Sequence, residues 1–284
     1  MRYYVVDAFT SEAFGGNPAG VVLLGKNGAF PDDELMRQVA AELRYSETAF
    51  VQQNGPTEFT VRYFTPAAEV DLCGHATIAT FGVLRQEGIV PTGAVCMNHT
   101  LAGDLQVKIG PRVMMQMAPP RHVDQAVDVE RLHHIMAGAS QLQWPELPVE
   151  IISTGLPDII MPMSTVEGLN AMQPDMAALA QLSRELNVVG VHAVVLTDDG
   201  FTGHVRNFGP LYGVPEESAT GTANAALTHY LHRNGLITAP CECRFLQGEA
   251  MNRPSVVATT LRDDGNIWVG GDSRIIARGD LLVS

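Results

Sequence analysis

Two short stretches of this chain gather thiol, imidazole and hydroxyl side chains around a glycine where a helix is expected to begin: Cys73-Gly74-His75-Ala76-Thr77 and Thr220-Gly221-Thr222-Ala223-Asn224. A helix N-terminus offers free backbone N–H groups and about half a positive charge, and glycine lets a ligand approach closely. One such turn says little. Two in matching positions predict a clasp for a carboxylate, while the competing reading is that small residues merely let a buried helix pack tightly. Glu47, in Ser46-Glu47-Thr48, follows one predicted helix and precedes a strand, where the helix dipole gives an acid no support. Alone it reads as a solvated loop residue; as a single carboxylate serving a two-helix anion site it is a candidate general base. An ordinary glutamate ionises near pH ~4.3, and partial desolvation is expected to move it toward neutrality. Cys73, directly before Gly74, stands where a helix favours thiolate. A two-base racemase would need a second thiol, and the other copy offers Thr220, so Cys73 reads as a pocket wall. His75 is either a substrate or carboxylate partner or a structural residue.

Other motifs carry less. Cys241-Glu-Cys243 is half a metal site with no second ligand pair at zinc-like spacing. Gly20 to Lys26 approaches a phosphate-binding loop, but Asn27 replaces the required Ser/Thr and the intervening residues are apolar and strand-like. The tripeptide Arg278-Gly-Asp280 is read as coincidental. With no dinucleotide fingerprint, metal cluster or Ser/His/Asp arrangement, the expectation is an enzyme with no metal and no cofactor.

The elements that must position these groups repeat. Arg62-Tyr-Phe64-Thr-Pro66 precedes the first glycine start and Arg206-Asn-Phe208-Gly-Pro210 the second. Gly74 and Gly221, like Gly88 and Gly235, are about 147 positions apart, close to half the chain. In the first half, strands are predicted over Tyr3–Val6, Ala19–Leu24, Thr48–Val51, Glu58–Phe64 and Leu105–Ile109, with helices over Asp32–Leu43 and Gly74–Glu87. In the second half, strands are predicted over Ile151–Gly155, Asp158–Met163, Ala193–Leu196 and Gly203–Phe208, with helices over Met176–Leu186 and Gly221–Asn234. The second helix of each half is nearly apolar all round, the mark of a buried helix, and a glycine closes it. The fold class is therefore α+β: two pseudo-symmetric domains, 1–117 and 118–284, each a curled β-sheet around a central apolar helix. The Pro119-Pro120 stretch links them, and the final strand, Leu281 to Val283, either stays with the second domain or returns to the first.

The bulk numbers agree. The chain has 284 residues, 46% hydrophobic and 17% charged, enough for two cores. A net charge of −13 argues against nucleic acid or an anionic membrane surface as partner. The start lacks an apolar leader, no run approaches a membrane span, and four cysteines form no disulfide framework. A cytoplasmic location is expected.

Taken in order, Asp7-Ala-Phe-Thr10, Gly16-Asn17-Pro18-Ala19-Gly20, Ser46-Glu47-Thr48-Ala49-Phe50, Phe64-Thr-Pro66, Cys73-Gly74-His75-Ala76-Thr77, the Glu216-to-Ala223 segment, Gln247-Gly248 and Arg253-Pro-Ser255 resemble the phenazine-biosynthesis PhzF-like family across nearly the whole chain. The resemblance implies the diaminopimelate-epimerase fold with an active site in the cleft between the two domains, a homodimer, and cofactor-independent proton-transfer isomerisation of a small carboxylate-bearing substrate. It places the catalytic groups on Glu47, His75, Glu217 and Thr222, and substrate contacts on Asn17, Cys73, Gly74 and Gly221. Two departures stand out. Glu217 replaces the family's aspartate, longer by one methylene, and Ser218 replaces a rigid proline. The alternatives are an epimerase or racemase using Cys73, and a metabolite-binding protein that keeps the fold without catalysis.

Overall fold

In the computed structural model, residues 1–26, 28–137 and 145–283 are described. Two compact units emerge, one formed by Met1–Gln116 together with the chain from Gly270 onward, the other by Met117–Val269.

In the first unit the chain runs β1 (Arg2–Ala8), β2 (Asn17–Lys26), α1 (Asp33–Leu43), β3 (Thr48–Gln53), β4 (Glu58–Phe64), β5 (Glu69–Val70), α2 (Gly74–Gln86), β6 (Val95–Thr100), β7 (Gly103–Ile109) and β8 (Val113–Gln116). Strands β1 and β2 pair antiparallel, β2 and β3 parallel, β3 and β4 antiparallel, β4 and β6 parallel. Each parallel pair needs a crossover, supplied by α1 and by α2. Asp32 caps α1 through its side chain, which accepts from the Leu35 amide. Met36, Val39 and Ala40 of α1 pack on Val22, Phe50 and Phe64 of the sheet. Helix α2 is buried continuously from His75 to Leu84, as its all-round apolar pattern predicts.

The second unit repeats the plan: β9 (Arg121–Val123), α3 (Val129–Ala137), β10 (Glu150–Ser153), β11 (Pro157–Pro162), α4 (Val166–Ala171), α5 (Met176–Leu186), β12 (Val191–Leu196), β13 (Gly203–Gly209), β14 (Val214–Glu217), α6 (Gly221–Arg233), β15 (Cys241–Gln247) and β16 (Ser255–Leu261). The pairings β10–β11 antiparallel, β11–β12 parallel, β12–β13 antiparallel and β13–β15 parallel match those of the first unit strand for strand. One face of this sheet packs Ile151, Ile159, Val191 and Ala193 against α3, α4 and α5. The other packs Ile152, Ile160, Val194 and Val205 against Ala226, Leu227, Tyr230 and Leu231 of α6. The helices end alike. Gly88 at φ +70 and Gly235 at φ +71 turn the chain, and the amides of Ile89 and Leu236 donate back to the carbonyls of Leu84 and Leu231, each at 2.9 Å.

Strand β17 (Ile267–Gly271) carries the chain back, and β18 (Ser273–Asp280) pairs antiparallel with β1 from Arg2↔Asp280 to Ala8↔Ser273. The second unit thus ends at Val269 rather than running to the chain end, because β1 would otherwise lack a neighbour on one side. The Leu281 amide donates to the Met1 carbonyl at 2.7 Å. The apolar run Val21–Leu24 lies inside β2; Asn27, which breaks the phosphate-loop pattern, lies outside the described residues. Cys241 and Cys243 share one face of β15, with Cys243 in the core beneath α6 and Cys241 packed at its edge. Among the described residues no helix is long and apolar enough to cross a membrane.

Candidate active site

Helices α2 and α6 start in the same way. Their N-caps, Cys73 (φ −136, ψ 119) and Thr220 (φ −129, ψ 102), share an extended backbone and give no capping hydrogen bond, whereas Asp32, Thr165 and Asp175 do cap their helices. The two predicted anion-binding starts are thus the ones whose cap side chain is otherwise engaged.

At α2 the groups converge on one imidazole. His75 is 4% exposed. The Asn17 side-chain amide lies 3.2 Å from its Nδ1, and Ser46 Oγ 3.3 Å from its Nε2. Glu47 Oε2 also lies 3.2 Å from Nε2, but out of line with the ring N–H, so that this buried oxygen has no hydrogen-bond partner. Cys73 Sγ is 3.4 Å from Nδ1 and 3.8 Å from Nε2. A sulfur almost equidistant from both ring nitrogens must lie over the ring face, because an in-plane position would collide with ring carbons.

That geometry decides two questions. Glu47, Cys73 and His75 bring potential ligand atoms within 4.8 Å of one another, but a metal held in the ring plane by a nitrogen would not also meet a sulfur stacked above the ring. The three do not fit a metal centre as they stand. The protonation states follow from the same contacts. Burial works against the Glu47 carboxylate, but His75, with Ser46 and Cys73, outweighs it and holds this carboxyl below its ordinary range. The expectation that desolvation would raise it is therefore corrected: the imidazolium overrides burial. Burial likewise opposes charge on His75, yet Cys73 and Glu47 hold its proton well above the usual range. The Cys73 thiol is pushed up to about 11, by burial first and by the Glu47 charge second. The contacts thus favour the charged forms of Glu47 and His75 and disfavour the Cys73 thiolate.

In the second unit the backbone equivalent of Glu47 is Gly190. The Glu47 carbonyl accepts from Gly20 N at 3.1 Å, and the Gly190 carbonyl from Ile159 N at 3.0 Å, each at the start of a parallel pairing. A Cβ on Gly190 would overlap the Phe208 carbonyl, so no acid can stand there. A carboxylate at the start of α6 comes instead from Glu217, at the end of β14. Its Oε2 accepts from Thr220 Oγ1 at 2.7 Å. Thr222 sits in the first turn of α6, its carbonyl accepting from Thr154 Oγ1 at 2.9 Å.

Sequence reasoning passed over several polar groups beneath α6. Asp158, His192 and Asn207 point to the α6 face of the sheet, where Ile160, Val194 and Val205 would continue an apolar surface. Asp158 is 1% exposed, with Oδ1 unpartnered. Burial, reinforced by the Glu217 charge and opposed by Asn207, pushes its carboxyl up to about 7. His192 is held down to about 4 by burial, against a hydrogen bond to Asn224, and is neutral. The available signal was a single polar residue inside an otherwise apolar strand for Asp158 and His192, while Asn207 lies in a strand that also carries His204 and Arg206.

An uncapped helix start, a half-buried carboxylate and a buried imidazole stand together on this duplicated frame, whose fold is that of the epimerase-like proteins. A hydroxyproline epimerase from Agrobacterium vitis shares the fold at a TM-score of 0.64, with 15% identity over 99% of this chain and 90% of its own. The chain belongs to the phenazine biosynthesis-like protein family, PhzC-PhzF, whose model matches residues 6–279. An uncharacterized isomerase from Deinococcus radiodurans is 33% identical over 98% of this chain and 94% of its own. The crystal structure of a PhzF-family phenazine biosynthesis protein from Bacillus anthracis superposes with a TM-score of 0.88 at 27% identity, covering 100% of this chain and 99% of that one.

Proposed function

We propose that this isomerase acts without a cofactor, shifting a proton on a small carboxylic acid with Glu47 as the general acid/base. The observation that carries the reading is the buried Glu47 Oε2, ionised beside the His75 imidazolium yet free of any directed hydrogen bond. An oxygen so placed keeps a lone pair for a substrate proton. The substrate carboxylate would take the first-turn amides at Gly74 and His75, lined by Asn17 and Cys73. Glu47 removes a proton from one carbon, the carbon–carbon double bond migrates, and the same carboxyl returns the proton to another carbon. His75 stays charged and steadies Glu47 through the cycle. The family resemblance assigns Gly221, Thr222 and Glu217 to the same reaction.

Positioned acid/base catalysis is worth roughly 10²–10⁴-fold. A carboxyl held below its ordinary range is a weak base, so a carbon acid also needs its developing negative charge met by fixed N–H dipoles. The neutral Cys73 thiol weighs against an epimerase that uses Cys73 as a base. The test is solvent-deuterium incorporation across a panel of small carboxylic acids in D₂O. Glu47→Gln is expected to bind the responsive acid and lose incorporation by roughly 10²-fold or more, while Cys73→Ser stays within about 10-fold of wild type. Equal losses in the two variants would overturn the single-carboxylate scheme, and tight binding with no incorporation anywhere would mark a binding protein.

A further inference from the structure

The hydrogen bonds beneath α6 run in one direction, and two backbone groups fix that direction. Gln247, the last residue of β15, is 0% exposed. Its side chain makes four hydrogen bonds, which uses its full capacity. Nε2 donates to the Glu217 carbonyl at 2.8 Å and to Thr220 Oγ1 at 3.0 Å; Oε1 accepts from the Thr220 amide at 3.1 Å and from Asn224 Nδ2 at 2.9 Å. A carbonyl can only accept and a backbone amide can only donate, so the Gln247 amide cannot be turned over. Thr220 Oγ1 receives a proton from Gln247 and must spend its own elsewhere, and its other contact is Glu217 Oε2 at 2.7 Å.

The same logic reaches back through the core. Asn224 Nδ2 donates to Gln247 and to the Thr220 carbonyl, leaving Asn224 Oδ1 to accept from His192 Nε2 at 3.4 Å. His192 Nδ1 then accepts from the Asn207 side-chain amide at 3.3 Å, which fixes the tautomer of a neutral ring. The chain reads Asn207 to His192 to Asn224 to Gln247 to Thr220 to Glu217, donor to acceptor at every link.

We propose that Gln247 is a positioning residue for Glu217: by fixing the Thr220 hydroxyl as a donor, it holds Glu217 Oε2 as an acceptor and anchors the backbone that presents this carboxylate at the start of α6. The catalytic meaning rests on the assignment of Glu217 to the reaction proposed above, but the physical effect does not. Glu217 therefore meets a hydroxyl that donates to and stabilises its charged form, whereas accepting from the neutral form would cost the Thr220 proton its acceptor.

The test is a ¹³C NMR titration of the Glu217 carboxyl in glutamate-labelled protein, assigned by the signal lost in Glu217→Gln. In Gln247→Glu, which keeps the volume but removes both donors and adds a charge, the Glu217 curve is expected to move up by roughly one pH unit. Thr220→Val should move it in the same direction, and Thr220→Ser, which restores the hydroxyl, should return it to wild type. If Gln247→Glu does not fold, the Thr220 pair decides. An unmoved curve in Thr220→Val, or a serine variant that behaves as the valine variant does, overturns the proposal. Because the measurement needs no turnover, a displaced curve together with an active Glu217→Gln variant would keep Gln247 as a positioning residue and remove Glu217 from the chemistry.

Discussion

Helices α2 and α6 have the same length, the same N-cap backbone and the same glycine-closed end, yet their first turns are furnished in opposite ways. Around α2 the groups are charged and incompletely matched, with a carboxylate, an imidazolium and a sulfur over the ring. Around α6 they are mostly neutral amides and hydroxyls, each donor assigned to an acceptor. The first arrangement leaves a carboxylate oxygen without a hydrogen-bond partner. The second allows little rearrangement, which suits orienting a group more than moving protons through it. The two halves share one frame, with charged groups at one helix start and mostly neutral ones at the other.

The most severe way to break this contrast is to restore the symmetry. Gly190→Glu would place an acid where Glu47 has one, but against the Phe208 carbonyl. We expect about 5 kcal/mol of destabilisation or failure to fold, beyond the ~1–3 kcal/mol of ordinary overpacking. A soluble variant with wild-type thermal stability would show that the asymmetry is not enforced by the backbone.

Next comes the pair of arginines that clamp the strand ahead of each helix. Arg206 grips Glu216 with two nitrogens at 2.8 and 2.9 Å and donates to the carbonyls of Leu169 and Met172, while only 8% exposed. Arg62 grips Glu69 at 2.7 and 2.5 Å and reaches Asp33, with 22% of its side chain exposed. Arg206→Met takes the donor from the half-buried Glu216 carboxylate and from the Leu169 and Met172 carbonyls, and should cost roughly 3–5 kcal/mol. Arg62→Met, where water can compensate, should cost about 1 kcal/mol. Denaturant unfolding ranks the two, and equal costs would mean that the clamps are energetically alike despite their different burial.

The smallest effect is the most even between the units. His99 lies between Asp104 at 2.7 Å and Glu58 at 3.0 Å, and His204 between Glu249 at 2.7 Å and Asp199 at 2.9 Å. With a carboxylate at each nitrogen both rings are held protonated above the ordinary range. For His99 the first cause is the Asp104 hydrogen bond; for His204 burial opposes the charge and the acids outweigh it. A raised folded-state value means that the stabilisation is full below the unfolded value, pH ~6.5, and is lost as pH rises through the folded one. His99→Gln and His204→Gln should each flatten the decline in stability above pH ~6.5 by no more than about 1 kcal/mol. Thermal melts across that range measure it, and an unchanged slope would show that these pairs carry no net coupling.

What could be read from the sequence followed the local rules. Gly74 and Gly221 announced the helix starts, Gly88 and Gly235 the ends, and the all-round apolar patterns the burial of both helices. The imidazole and the carboxylate were visible as Glu47 and His75, but the direction of the Glu47 shift was not. Burial is guessed from one residue's surroundings, whereas the opposing charge comes from a partner far along the chain. Gln247 and Thr220 are remote from each other in the same way, so the hydrogen bond from the Thr220 hydroxyl to Glu217 was not legible beforehand. Asp158 and His192 were missed because a buried strand tolerates one polar residue without revealing which face it takes, and Asn207 because it follows Arg206 in a strand with polar residues on both faces.

The pairing of β18 with β1 has a consequence for synthesis. The second unit is one unbroken stretch, complete in sequence by Val269, while the first unit needs a strand that ends at Asp280. On the ribosome, the half that is begun first must therefore wait with β1 unpartnered on one edge until the last strand emerges. The half begun second can close earlier, so translation order and completion order are reversed in this chain.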